Sequence, residues 1–453
     1  MRIVDSEVVV DSLTRMRALL AASCALAPLA CQPDPLDIPP PESCSVEAQK
    51  DWILSTMREV YLWNDLIPAE VDLSAYETPE DVVVGLRQGV DRWSRATDKA
   101  QSDALTMKGK YVGTGLSLAR DEQNRLRVAF AHADSPAGRA GLVRGDVIWA
   151  VGGKTVAQRD ADKDWSGAWG ESEPGSSVTI EVHAGDLSAD EVNSTNLRTV
   201  ELVTDWVQIV TVPHHDVLDV GGHKVGYLLF WTFVAIAYDE LDAAFADFAA
   251  AGVDTVVVDL RYNGGGLVAV ASYLIDLLAA AEHHGEVAYR VEFNAGLAGE
   301  NSVERLERQP HSLPLDRVFF LTTKKTLSAS ELVINAVAPW VDTFLVGART
   351  GGKPVGSRYF EFCDKILQAI TFRFTSAAGV TDYFDGLPVV CERGDDLDHA
   401  LGDPAEAMLA GALDLLTGAG CAAGSSASAT PVRPDDLGLA PAAAALFELH
   451  HSL

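Results

Sequence analysis

From Lys224 to Trp340 short apolar runs alternate with longer stretches at helical spacing, and this alternation limits the fold more than any other feature of the chain. Val225 to Phe230 is apolar and β-rich, Tyr238 to Ala251 reads as a helix of alanines and aromatics, and Val253 to Leu260 is almost continuously apolar. Leu267 to Ala280 reads as a second helix and Arg317 to Thr322 as a strand. Ser330 to Trp340 follows as a helix and Thr343 to Val346 as another strand. Strands that alternate with helices and are apolar throughout predict a parallel sheet covered on both faces.

The remaining sequence has a different texture. A chain of 453 residues exceeds one core and suggests two to four units, at roughly 100–200 residues each. Gln49 to Tyr61 reads as a helix, with Trp52, Ile53, Met57, Val60 and Tyr61 near helical spacing. Pro79 to Val90 reads as a second helix leading into Asp91-Arg92-Trp93-Ser94. From Lys110 to about Thr204 come short β-like runs: Gly115 to Leu118, Leu126 to Phe130 and Ser177 to Val182. At the centre, Ser135 to Leu142 predicts a short helix stopped by glycine, and Val143 to Gly153 a turn into a strand. Gly418 to Pro434 is rich in Ala, Ser and Gly, and Leu437 to Leu449 reads as a short helix without a place.

The start of the chain reads as a targeting segment. Arg15 and Arg17 precede an apolar run, Ala18 to Ala27, too short to span a bilayer. The run ends at Pro28-Leu29-Ala30-Cys31, and a Pro-rich stretch follows from Gln32 to Pro41. Small residues before a cysteine resemble a bacterial lipoprotein cleavage site, which makes Cys31 the expected lipidated residue, with plain secretory cleavage as the alternative. The expected location is therefore the periplasm or cell envelope. A formal charge of −30 argues against nucleic-acid binding, because a phosphate backbone would be repelled.

Two strand-to-helix junctions carry the chemistry. Asp259-Leu260-Arg261-Tyr262-Asn263-Gly264-Gly265-Gly266 follows an apolar strand, and its glycines let backbone N–H groups approach a ligand. Thr326-Leu327-Ser328-Ala329-Ser330-Glu331 opens an apolar helix. Its serines are either helix caps, with Ser328 and Glu331 as a capping box, or a nucleophile at a helix N-terminus. A serine needs a proton acceptor, yet His283, His284, His311 and His399 stand outside these segments. A buried, neutral lysine can serve instead. Lys353 lies 25 residues after Ser328 in the glycine-rich turn Arg349 to Gly356.

With Cys24 and Cys31 assigned to the leader, Cys44, Cys363, Cys391 and Cys421 remain. An even number in an exported chain favours disulfides, and no Cys-x-x-Cys spacing suggests a metal. Cys363 with Cys391 is the expected pair, since both follow the segment of Ser328 and Lys353 and enclose a strand pair.

These motifs together resemble the tail-specific, or C-terminal processing, serine peptidases with a Ser–Lys dyad. The resemblance rests on Ser328-Ala329-Ser330-Glu331, on the Gly-Lys motif at Lys353, on Asp259 to Gly266, and on Ser135 to Gly153, which is similar to an inserted PDZ domain. Tyr61-Leu62-Trp63 and Asp91 to Ser94 resemble N-terminal features of the lipoprotein-like branch. The resemblance implies a multidomain α/β protein with a ClpP/crotonase-like catalytic core, a PDZ-like β-rich domain and a small helical N-terminal region. The expected boundaries are 1–31 for the signal or lipoprotein segment, 32–48 for the tether and 49–105 for the helical region. The PDZ-like domain follows at 106–204, the peptidase core at 205–418, and a low-complexity tail with a short helix at 419–453.

Carried over residue by residue, the resemblance makes Ser328 the nucleophile and Lys353 its base. It puts the oxyanion on the N–H groups of Ala329 and of Gly265 or Gly266. It gives the loop Gly113-Thr114-Gly115-Leu116 to the carboxylate of a substrate's C-terminus. Many relatives carry Gln four positions after the lysine; Ser357 stands there and is the expected lysine-orienting residue. The implied activity is endoproteolysis of protein substrates chosen by their tails, with no cofactor or metal and a membrane contact only through the lipid anchor. The alternatives are a catalytically weak or inactive peptide-binding protein on the same scaffold and, more remotely, an acyl-CoA enzyme.

Overall fold

The structure is a computed structural model that describes residues 38–99, 109–170, 173–185 and 196–421, and the backbone of 430–431. Cys31 and the expected helix from Leu437 to Leu449 lie outside the described residues.

The N-terminal region contains α1 (Val46–Val60) and α2 (Pro79–Leu86). Both begin on side-chain caps: Ser45 accepts the N–H of Ala48, and Thr78 and Asp81 form a capping box with Pro79 in the first turn. The sequence predicts α2 to run to Val90, but it stops at Leu86 because side chains capture the residues beyond it. The Tyr61 hydroxyl accepts the N–H of Gln88 at 3.0 Å and donates to Asp91 Oδ2 at 2.9 Å. Asp91 Oδ1 then takes the N–H groups of Trp93 and Ser94, both at 2.9 Å, and turns the chain into β1 (Arg95–Asp98).

A β-rich unit comes next: β2 (Lys110–Gly113), β3 (Leu116–Arg120), β4 (Leu126–Ala131), α3 (Pro136–Arg139), β5 (Val147–Val151), β6 (Lys154–Thr155), α4 (Val156–Asp162), β7 (Ser177–His183), β8 (Arg198–Val203) and β9 (Asp205–Gln208). Its sheet runs β3-β4-β5-β7-β8 with every pair antiparallel; β6 adds to β5, and β9 pairs separately with β2. Period-two alternation points Val178, Ile180 and Val182 of β7 inward, where they join Leu126, Val128, Ile148, Trp165 and Leu202 in a core of their own.

The larger unit continues with β10 (His214–Val220), β11 (His223–Leu229), α5 (Ala237–Ala251), β12 (Thr255–Asp259), α6 (Val268–His283), β13 (Val287–Phe293), β14 (Ser302–Arg305), β15 (Arg317–Thr322), α7 (Ala329–Val337), β16 (Asp342–Gly347), β17 (Val355–Phe362), β18 (Lys365–Ser376), β19 (Cys391–Glu392) and α8 (Ala407–Thr417). Strands β11-β12-β15-β16-β19 are parallel, with β10 antiparallel at the edge. On one face Val256, Val258, Val318 and Phe320 pack against α5, α6 and α7. On the other, Tyr227, Val257, Phe319 and Leu321 meet Met408, Leu409 and Leu413 of α8. Burial on both faces explains why these strands are apolar throughout.

A second, antiparallel sheet is built on β18. β17 pairs along one of its edges, while β1 and β13 share the other end to end, with β14 beyond β13. Helix α1 packs on the β17–β18 hairpin, and Trp52 stacks on Phe362 at 4.7 Å between ring centroids.

The cysteine pairing differs from the expected one. Cys44 is bonded to Cys363 and Cys391 to Cys421, with Cα–Cα distances of 5.8 and 5.5 Å. Cys363 follows β17 at the hairpin turn, where the start of α1 arrives, whereas Cys391 lies in β19 at the edge of the parallel sheet. β18 alone lies between the two cysteines, not the expected strand pair, and the chain then crosses to the edge of the other sheet, so Cys363 and Cys391 are not joined.

Candidate active site

The two junctions end adjacent parallel strands, β12 and β15, and cross-bonds zip them together. Thr326 Oγ1 donates to the Leu260 carbonyl at 2.8 Å, Thr323 Oγ1 donates to that of Arg261, and the N–H of Leu327 reaches the Asn263 carbonyl at 3.3 Å. Ser330 Oγ also donates to the Asn263 carbonyl, at 2.9 Å. That bond separates the two serines of the motif, because the Ser330 hydroxyl is spent on holding the junctions together. Ser328 stands at the start of α7 with a φ of +56°, a region that disfavours residues with a side chain. Such strain persists only where the surroundings impose it, and it clusters at functional sites.

Glu331 imposes it. Its Oε2 accepts the N–H of Ser328 at 3.0 Å and that of Lys353 at 2.7 Å, so one oxygen holds both backbones. Its Oε1 accepts the N–H of Gly352 at 2.8 Å and the Thr350 hydroxyl. Glu331 is fully buried, and burial pushes its carboxyl up to about 7 although these four donors pull it down. The expected capping box of Ser328 and Glu331 is present, and the carboxylate reaches further than a cap does, clamping the Lys353 turn to the Ser328 junction. The turn is shaped by Gly352, at φ +87°, where a Cβ would lie 2.2 Å from the Phe384 carbonyl.

Lys353 is 1% exposed. Its amine sits 5.6 Å from the centre of the Trp93 ring. Burial drives its pKa well below the usual lysine value, and the positive charge of Arg95 pushes the same way; Asp91 and Glu331 pull back more weakly. Trp93, Arg95 and Asp91 all come from the N-terminal region. That region is fastened to β18 by the Ser94 hydroxyl, which accepts the N–H of Ile370 at 3.0 Å, and by the N–H of Leu62 on the Ile370 carbonyl at 2.9 Å.

The glycine loop is equally constrained. Gly266 has a φ of +142°, and a Cβ there would come within 2.2 Å of the Phe233 carbonyl. The N–H of Gly265 donates to Asn263 Oδ1 at 2.9 Å, so of the two expected oxyanion donors Gly265 is already engaged. Arg261 anchors the loop from below: it is fully buried and bonds Asp259, Asp395 and Glu406. Arg144 of the β-rich unit reaches the same cluster, donating to the Tyr262 hydroxyl at 2.6 Å and to Asp395.

Ser357 Oγ accepts from Gln368 Nε2 at 3.3 Å, across the β17–β18 pair. Gly113 to Leu116 belong to the β-rich unit, where the Thr114 carbonyl accepts the N–H of Ala137 and the Gly115 carbonyl that of His132. Among the described residues no group of three His, Cys, Asp or Glu is placed to hold a metal, and no helix is long and apolar enough to cross a membrane.

The peptidase family S41 model matches residues 224–382, and the peptidase S41 N-terminal domain model matches residues 48–95. The chain is a serine-type peptidase of family S41. Relatives of this peptidase include the carboxyl-terminal-processing protease of Picosynechococcus, 27% identical over 307 residues, which is 67% of this chain and 69% of that one. The carboxyl-terminal-processing protease of Synechocystis is 28% identical over 331 residues, 71% of this chain and 70% of that one. Among solved structures, a Bacteroides fragilis protein assigned to the S41 proteases superposes with a TM-score of 0.66 at 24% identity, covering 81% of this chain and 97% of that one. That likeness confirms the mixed α/β fold of the peptidase. The N-terminal match ends at Arg95, so it spans the very residues that surround the lysine of the other match.

Proposed function

We propose that this S41 peptidase is an exported endopeptidase in which Ser328 is the nucleophile and Lys353 its general base. The observation that carries the reading is the shared oxygen of Glu331, which holds the backbones of both residues, together with the burial of the lysine. A lysine ordinarily titrates near 10.4 and is a poor base when charged. Kept dry beneath Trp93 and next to the charge of Arg95, its amine is neutral and accepts the serine proton as the hydroxyl attacks the scissile carbonyl. The proton then passes to the leaving amine. The N–H of Ala329, at the start of α7, and that of Gly266 receive the oxyanion, Gly265 being bonded to Asn263. Ser357, four residues after the lysine and bonded to Gln368 across the β17–β18 pair, is the lysine-orienting residue.

In this reading the larger unit is a ClpP/crotonase-type core and the β-rich unit is a PDZ-like domain. The N–H groups of Gly113 to Leu116 then take the carboxylate of a substrate's C-terminal tail. Export is supported by the leader-like first residues and by two disulfides, which persist in oxidising compartments. The test compares wild type with Ser328→Ala and Lys353→Ala on an unfolded protein substrate. Both variants should be folded and inactive, and the double variant hardly worse than either, because the two residues act as one unit. Full activity in either single variant overturns the dyad.

A further inference from the structure

β3 is the edge strand of the PDZ-like sheet; β4 takes one of its sides. The other side is taken by the chain's own C-terminal segment, β20 (Thr430–Pro431), antiparallel, with Thr430 opposite Arg120 and Pro431 opposite Ala119. The direction of this pairing matters. A strand laid antiparallel on β3 travels from Arg120 toward Leu116 and the loop Gly113 to Gly115. Its C-terminal end therefore approaches the N–H groups assigned above to a substrate's terminal carboxylate. β20 thus follows the path of an added substrate strand, on the only edge that β3 has to offer.

We propose that the segment around Thr430 and Pro431 is an intramolecular ligand of the β3 edge and competes there with the C-terminal tails of substrates. The proposal rests on the tail-binding reading of the PDZ-like domain.

Two further observations favour a displaceable ligand. The disulfide between Cys421 and Cys391 fixes the root of the segment at β19, and Thr430 follows nine residues later. Nine residues reach at most about 30 Å, at roughly 3.3–3.6 Å each. A tether this short gives an effective concentration on the order of mM, enough to fill a weak site without a strong contact. Pro431, however, has no N–H to give to a ladder, so Thr430 is the only donor that this pair brings. A substrate tail with a full set of N–H groups and a free carboxylate makes more bonds on the same edge. The cis strand is therefore occupied at rest and yields to a good tail, which sets a threshold for substrate entry.

The test uses three proteins: the full chain, a chain ending at Cys421, and the full chain with Thr430→Pro, which leaves the segment without a backbone N–H at either paired position. Hydrogen exchange is followed over residues 113–121. KM is measured for one unfolded reporter bearing either a free-acid or an amidated C-terminus, and kcat for a short untailed peptide. Both variants should exchange about tenfold faster at β3. Both should show a several-fold lower KM for the free-acid reporter only, with kcat on the short peptide unchanged. Unchanged exchange in both variants overturns the cis strand; if free-acid substrates are still preferred, the tail-binding reading survives that failure. Faster exchange with equal KM for acid and amide in all three proteins overturns the competition and the tail-binding reading together.

Discussion

Replacing Glu331 by glutamine tests the clamp that joins the serine junction to the lysine turn. The carboxyl is fully buried and titrates at about 7 in the folded protein, against 4.5 when free. Between these two values the folded chain holds a proton that the unfolded chain has released. The group's contribution to stability is therefore complete below about 4.5 and declines as pH rises to about 7. At ~1.36 kcal/mol per pH unit, the displacement amounts to about 3 kcal/mol. Glutamine does not titrate, so Glu331→Gln lacks this decline. It also sets an NH₂ among groups that need acceptors, at a cost of about 1–3 kcal/mol for each N–H left unpaired. Urea unfolding of Ser328→Ala protein, with and without Glu331→Gln, measures both effects without self-cleavage. The stability gap between the two proteins should move by about 3 kcal/mol in favour of the glutamine variant between pH 4.5 and pH 7. In the active background Glu331→Gln should slow turnover, by up to about 10²-fold, since Ser328 and Lys353 both lose a fixed backbone. A gap that does not change with pH would refute the reasoning.

Activity should rise with pH through the lowered pKa of Lys353, and Lys353→Arg should be inactive because a guanidinium stays charged; pH–rate profiles decide both. Trp93→Ala opens the lysine to water, so the rising limb of the profile should move to higher pH, burial being the larger cause of the shift. Thiol labelling of denatured, unreduced protein should leave Cys44, Cys363, Cys391 and Cys421 unmodified, and Cys44→Ser should expose Cys363 alone and cost roughly 2–5 kcal/mol.

The sequence exposed what is local. The strands of the parallel sheet were legible because burial on both faces leaves them almost purely apolar, and the junctions because glycine and serine cluster where strand turns into helix. α2 was drawn too long because its end is set by Tyr61, a residue 27 positions before Gln88, rather than by its own periodicity. The disulfides failed for a related reason: Cys44 and Cys363 are 319 residues apart, and only the packing of α1 on the hairpin turn brings them together. The environment of the lysine lay equally out of reach. Asp91 to Ser94 stood out as a motif, yet nothing in it says that its tryptophan lies over Lys353 or that the next residue, Arg95, begins a strand on β18. Glu331 was visible, but as a helix cap, because a capping box and a clamp between loops look identical until the second loop is in place.

The two disulfides also divide the polypeptide into covalent rings. The first closes at Cys44 and Cys363 and contains the β-rich unit, the glycine loop, Ser328 and Lys353; the second closes at Cys391 and Cys421. A peptidase is exposed to cleavage by its own copies, and a single cut anywhere in 45–362 leaves both ends of this one attached. Between Cys44 and Cys421 only the stretch 364–390 lies outside both rings, and its longest element, β18, is paired on both edges. Molecules nicked inside either ring therefore persist as single covalent bodies, and those cuts separate fragments on a denaturing gel only after reduction.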